Sequence, residues 1–240
     1  MKVGTLLAAA LAALALGACQ KASADDAAFG ARVRAYLLAH PEVIQEAAQA
    51  LQAKEAADDA AAQTRAKAEL PKLRAAIEHD PRDFVANPGG KITVTEFYDY
   101  RCPHCVNIAP KVVALIQHNP DVRFVFKEMP IFGPTSEHAA RAAMAVKKAG
   151  GDYVGLYDTL MRTHPLDDES IDRIALQKGA KAADLTASPA AKAQLDDTAA
   201  LFNKLDLGGT PAFIVGGEIV YGEDIDGLNA AVAKARGKGA

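Results

Sequence analysis

Cys102 and Cys105, separated by two residues in the run Cys102-Pro103-His104-Cys105, are the side chains of this 240-residue chain best suited to chemistry. Before them, Lys91-Ile92-Thr93-Val94-Thr95-Glu96-Phe97-Tyr98-Asp99-Tyr100 alternates with the period of a strand. After them, Val106, Ile108, Val112, Val113, Leu115 and Ile116 recur at helical spacing. The pair therefore sits where a strand turns into a helix, on the helix's first turn. Pro103 suits the first helical position, because the N–H it lacks would have no intrahelical partner there. Free backbone N–H groups and the positive end of the helix dipole favour a thiolate at Cys102, while Cys105 lies one turn further in and more buried. Helix-start Cys-x-x-Cys thiols ionise at roughly 3.5 to 7.5 rather than about 8.5, which makes Cys102 the candidate attacking sulfur and Cys105 the resolving one. His104, protonated or donating toward the Cys102 sulfur, pushes in the same direction. The reduced form is then stabilised and the redox-active disulfide becomes a strong electron acceptor. A stable structural disulfide or half of a metal site is the alternative, but structural zinc wants four ligands and only Cys19 remains elsewhere.

The elements that must position this pair carry a second motif. Glu96 through Cys105, together with Gly209-Thr210-Pro211-Ala212-Phe213-Ile214-Val215, resembles the DsbA-type thioredoxin-fold oxidoreductases over roughly residues 88 to 236. The resemblance implies an α/β thioredoxin fold with an inserted helical subdomain. It also implies that Pro211 is a cis-proline facing the cysteines, X-Pro bonds being the only kind that adopt cis at modest cost. Thr210 is then the residue whose backbone pairs with an incoming substrate strand. Glu96 matches the partly buried acid beneath the active site and Lys127 its usual basic partner, a pair able to relay protons to Cys105; a polar pair solvating the end of a sheet is the plainer alternative. Pro-His between the cysteines is typical of strongly oxidising monomeric members. Thr before the cis-proline is more typical of isomerase-like and copper-tolerance (ScsC-like) members, so oxidase and isomerase both stay open. No cofactor is implied.

Met1-Lys2-Val3-Gly4 followed by the Leu- and Ala-rich stretch from Thr5 to Leu16 reads as an export signal, too short to span a bilayer, which takes about 20 residues. Leu16-Gly17-Ala18-Cys19 resembles a bacterial lipobox, in which Cys19 becomes the lipidated first residue; cleavage after Ala22-Ser23-Ala24 is the competing reading. Either route leads to the periplasm, an oxidising compartment where such a Cys pair can act, with the first anchoring the protein to the outer membrane. A net charge of −3 with no basic stripe argues against a nucleic-acid partner.

The chain divides into a signal (1–24), a helical stalk (25–70), a linker (71–87) and a thioredoxin domain (88–240) with a helical insertion at about 135 to 206. In the stalk, Val33, Leu37, His40, Ile44, Ala47 and Leu51 step by heptad spacing, interrupted by His40-Pro41, where a second helix starts after a bend. Such a helix either packs back on the catalytic domain, spaces it from its anchor, or joins copies of the chain. ScsC-like proteins with a trimerising stalk favour a homo-oligomer, a trimer through residues 27–52. Helical patterns follow at Glu137–Ala149, Tyr153–His164, Ser170–Lys178, Ala187–Leu205 and Asp224–Ala235, and Gly216-Gly217 signals a hairpin. Two function classes fit. One is an enzyme exchanging disulfides with unfolded or misdisulfided exported proteins, recharged by a membrane redox partner. The other is a copper-handling module whose cysteines are soft Cu(I) ligands.

Overall fold

The computed structural model describes residues 26–238. The expected export signal and Cys19 lie outside the described residues. Two compact units divide between Asp59 and Ala60. In the first, helix α1 (26–39) ends at His40-Pro41, and α2 (Glu42–Glu78) begins one residue later. Pro41 has no N–H with which to continue α1, which is why the break falls there. Phe29, Val33, Tyr36 and Leu38 on α1 are exposed, as are Ile44 and Leu51 on α2.

In the second unit a sheet runs in the order β1-β3-β2-β4-β5, built from β1 (Phe84–Ala86), β2 (Ile92–Tyr98), β3 (Val122–Glu128), β4 (Ala212–Val215) and β5 (Glu218–Tyr221). β2 and β3 are parallel, and the other pairs are antiparallel. Helix α3 (Pro103–His118) follows β2. The helices α4 (Pro134–Ala149), α5 (Tyr153–Arg162), α6 (Asp168–Gln177) and α7 (Pro189–Lys204) form the insertion between β3 and β4, and α8 (Ile225–Lys238) closes the chain. Gly216 and Gly217, at φ +58° and +86°, supply the left-handed conformations that the two-residue hairpin between β4 and β5 demands.

Alternation along the strands builds two cores. Val94, Tyr98, Phe124, Phe126, Phe213 and Val215 face one, with α3, α4, α5, α6 and α8. Phe97, Ala212 and Ile214 face the other, with Leu70 and Ile77 of α2 and Leu201 and Phe202 of α7.

The structure differs from the expected linker at 71–87: α2 runs through Pro71 to Glu78, and β1 follows. Leu70, Leu73 and Ile77 recur at helical spacing and pack on the sheet. Their burial, worth roughly 1.5 to 3 kcal/mol for a fully buried side chain, offsets the hydrogen bond that Pro71 removes. The sheet also satisfies the helix's last carbonyls. Lys127 Nζ donates to Ala76 O at 2.5 Å, Thr95 Oγ1 to Ile77 O at 3.3 Å, and Arg123 to Glu78 O at 2.7 Å.

Lys127 is therefore not the partner of Glu96, as expected from sequence. In the β2/β3 register Lys127 lies opposite Phe97 and Glu96 opposite Phe126, so the two side chains leave the sheet on opposite faces. The Lys127 ammonium instead pairs with Asp83 at 2.5 Å, both ends buried. Burial raises the Asp83 carboxyl to about 6 against the pull of Lys127, so the fold loses this group's contribution as pH rises from about 4 through 6. Lys127→Ala leaves Asp83 buried without a counter-charge and is expected to cost about 3 to 5 kcal/mol in denaturant unfolding, with the titration of Cys102 unchanged.

Candidate functional site

Cys102 is the N-cap of α3 (φ −69°, ψ 120°), and Pro103 takes the first helical position, as its missing N–H allows. The turn before it is held by Asp99, buried, which accepts from Arg101 N at 2.7 Å, Ile131 N at 2.6 Å, Phe132 N at 3.0 Å and Ser136 Oγ at 2.8 Å. One carboxylate thus ties the approach to Cys102 to the β3–α4 loop. Both cysteines are free thiols. Cys105 is the more buried of the two, at 0 % exposed, but Cys102 at the helix start is itself only 3 % exposed. Both are buried, and what separates them is how heavily burial weighs on each charge and which donors offset it.

The Cys102 thiol is pulled down to about 5. The Cys105 thiol beside it is the largest cause, and Thr210 and the backbone N–H groups of Cys105 and His104 add to it against the cost of burial. Cys105 is pushed far up by burial first, then by its bond to Cys102 and the charge of Glu96. One sulfur is therefore ready as a thiolate, and the other holds its proton.

The Thr210–Pro211 bond is cis. The Cys102 thiol donates to Thr210 O at 3.2 Å, which brings the end of the insertion onto the helix start. Pro211 O in turn accepts from Gly222 N at 2.9 Å, and the next residue, Glu223, reaches His104. Its Oε1 lies 2.8 Å from His104 Nδ1 and accepts from Asn107 Nδ2 at 3.1 Å. This bond is the main reason that the imidazole pKa is raised, with a lesser contribution from Cys102.

Glu96 is wholly buried and accepts from Tyr157 OH at 3.2 Å. Burial, with the charge of Glu128, raises it to about 8. The structure thus brings together Cys102, Cys105, His104, Thr210, Pro211 and Glu96, and leaves Lys127 on the far face. Glu223, Tyr157 and Glu128 join the site without having been singled out in sequence. Glu128 and Tyr98 share the parity of Glu96 on adjacent strands, a signal that the register makes readable; Glu223 carries no local signal.

The profile of the DSBA-like thioredoxin domain matches residues 93–233. The chain belongs to that family. The profile of the copper resistance protein ScsC N-terminal domain matches residues 25–58. Among solved structures, a thioredoxin-like oxidoreductase from Silicibacter pomeroyi is 35 % identical with a TM-score of 0.62, covering 68 % of this chain and 97 % of that one. Proteus mirabilis ScsC in a transitional conformation is 27 % identical with a TM-score of 0.66, covering 87 % and 93 %. A periplasmic thioredoxin-like protein from Salmonella enterica serovar Typhimurium is 28 % identical with a TM-score of 0.63, covering 68 % and 95 %. The Na(+)/H(+) antiporter NhaA 3 of Salinispora tropica is 31 % identical over 177 residues, 65 % of this chain and 25 % of the antiporter. The chain thus spans about a quarter of that relative's length.

For this DSBA-like domain, thiolate absorbance against pH is expected to show Cys102 ionising near 5, with Cys105 silent through the same range. Glu223→Gln lowers the His104 pKa, so less imidazolium faces the thiolate at neutral pH and the Cys102 midpoint rises. Both partners are largely exposed, which keeps the rise under about one pH unit and makes it shrink in salt.

Proposed function

We propose that the chain is an exported thiol–disulfide oxidoreductase that exchanges disulfides with unfolded or misdisulfided proteins in the periplasm, and that it acts as an isomerase when joined into a homo-oligomer, a trimer, through residues 27–52. The observation that carries the exchange chemistry is the opposite displacement of two adjacent sulfurs, Cys102 held low at the helix start and Cys105 held high behind it. In the shuffling direction the Cys102 thiolate attacks a substrate disulfide, forms one S–S bond and releases the other substrate sulfur as a thiolate. That thiolate then attacks elsewhere in the substrate, or Cys105 attacks Cys102 and frees the substrate reduced. Thr210 lies beside the attacking sulfur, where its backbone can pair with the substrate strand.

Oligomerisation is supported by the exposed apolar side chains of α1 and the start of α2, since monomers seldom leave a patch of Phe29, Val33, Tyr36 and Ile44 uncovered. The likeness of residues 25–58 to the ScsC N-terminal domain agrees. Several sites joined this way raise the effective concentration of catalyst around one substrate and hinder docking of a bulky membrane oxidant. Among the described residues no helix is long and apolar enough to cross a membrane. We propose Cys19, at the end of Leu16-Gly17-Ala18-Cys19, as the lipidated anchor residue, with cleavage after Ala22-Ser23-Ala24 as the competing reading.

Cys105→Ala removes the resolving sulfur, so substrate proteins are expected to accumulate as mixed disulfides on Cys102 in periplasmic extracts, visible as reducible adducts on gels. Because Ala66 and Leu70 belong to the core of the second unit, a chain lacking the stalk should begin at Ala60. The full mature protein is expected to sediment as a trimer and reactivate a scrambled disulfide substrate. The chain from Ala60 should be monomeric and oxidise dithiols without reshuffling them. Sedimentation of the full protein as a monomer without reshuffling would favour a monomeric oxidase on a tethered spacer, equal isomerisation by both would remove the stalk from the isomerase reading, and Cu(I) binding without exchange on a peptide disulfide would favour the copper-handling module.

A further inference from the structure

Glu96, the acid to which the family resemblance assigns proton relay, is one buried carboxyl group, and the same core holds a second. Glu128 ends β3 directly opposite Tyr98, one strand over and two residues along from Glu96, on the same face of the sheet. Both are buried, and their hydrogen bonds are unequal. Glu96 accepts from a single hydroxyl, that of Tyr157, at 3.2 and 3.4 Å. Glu128 Oε1 accepts from Tyr98 OH at 2.7 Å and from Tyr153 OH at 2.5 Å. Tyr100 OH, 2.9 Å from Tyr98 OH, can donate to it, while the Tyr98 and Tyr153 hydroxyls, also 2.9 Å apart, direct their protons at Glu128.

Two short phenol bonds on one oxygen hold a negative charge far better than one long bond shared between two oxygens. Burial raises both carboxyl groups to about 8, so the two titrate together; the first charge to appear rests on Glu128, where the phenols hold it, and its repulsion across the core keeps the proton on Glu96. No cation intervenes, since no basic side chain among the described residues hydrogen-bonds or pairs with either carboxyl. The other groups facing the pair are Tyr100, Tyr157 and Cys105 around Glu96, and Asp99 and Asp83 toward Glu128, all neutral or negative.

We propose that Glu128 is a positioning residue for the exchange reaction: its charge, held in a cage of tyrosine hydroxyls, keeps Glu96 protonated into the neutral range so that Glu96 trades its proton with Cys105 at working pH. The inference rests on the exchange reading above. In the oxidising direction a substrate thiolate attacks Cys102 Sγ and forms an S–S bond to it. The Cys102–Cys105 bond breaks, the electron pair leaves on Cys105 Sγ, and that sulfur takes the proton from the Glu96 carboxyl. In the reverse direction Cys105 returns the proton to the Glu96 carboxylate as its sulfur attacks Cys102, and the substrate departs with the electron pair as a thiolate. A group that gives and takes in both directions works best with its pKa near the operating pH. Burial with the charge of Glu128 places Glu96 near 8.

The test uses the full mature chain carrying glutathione as a mixed disulfide on Cys102. Release of glutathione by Cys105 is followed against pH, and the buried carboxyl groups are titrated separately by carbon-13 NMR, with Glu96→Gln identifying the Glu96 resonance. In Glu128→Gln the Glu96 midpoint and the inflection in the release rate should both fall by about one pH unit or more, while alkylation of reduced Cys102 keeps its pH profile. Tyr153→Phe weakens the hold on the Glu128 charge and should move both the same way by less; it also supplies the test should Glu128→Gln not fold. A Glu96 midpoint that stays in place in these variants overturns the role of Glu128. Absence of glutathione release from the unaltered protein overturns instead the exchange reading, and the role with it, even where the NMR midpoint moves.

Discussion

β2 is hydrogen-bonded along both edges, parallel to β3 and antiparallel to β4, so its register cannot slip by one residue without exchanging every side chain between the two cores. A slip would turn Glu96 and Tyr98 toward α2 and drive Phe97 into the tyrosines. This constraint sets the rest of the site. It carries the acid to the face where Tyr157 and Cys105 lie, delivers Asp99 to the β3–α4 loop, and ends the strand where Cys102 can cap α3. It also brings β4 alongside, which puts the Thr210–Pro211 corner against the same helix start.

Within that frame the two sulfurs are nearly equally hidden and oppositely tuned. Backbone N–H groups at the helix start and the neighbouring thiol draw Cys102 down. Cys105, three residues on, meets the apolar core and the charge of Glu96. Surface exposure alone would not distinguish them; the cost of burying a charge falls hardest on Cys105, and the donors at the helix start relieve it at Cys102. The His104–Glu223 pair extends this arrangement to the surface, where the Gly222–Pro211 backbone bond ties it to the corner that faces Cys102. A thiolate centre built this way is suited to exchange in both directions.

Helix α2 shows how a lysine can be read wrongly from family position. Lys127 sits at the end of β3, one residue from Glu128, and serves the opposite core. With Thr95 and Arg123 it caps the carbonyls of Ala76, Ile77 and Glu78, and with Asp83 it forms a buried ion pair. The same helix end that looked like the start of a linker is therefore one of the best satisfied parts of the domain.

Read by itself, the sequence determined what depends on neighbours along the chain. Strand alternation into Cys102-Pro103-His104-Cys105, helical spacing after it, and Gly216-Gly217 between two apolar runs are all local signals, and the corresponding turn, helix and hairpin stand in the structure. The insertion helices were legible for the same reason, with ends shifted by a few residues where Pro134, Asp167 and Pro189 start them. Tertiary structure alone decided what depends on register and burial. The face taken by Lys127 requires knowing which residue of β2 lies beside it, and the pairing of Glu223 with His104 joins positions 119 residues apart. The passage of α2 through Pro71 depends on Leu70, Leu73 and Ile77 finding a sheet to cover, because local propensity disfavours proline inside a helix and only packing outweighs it.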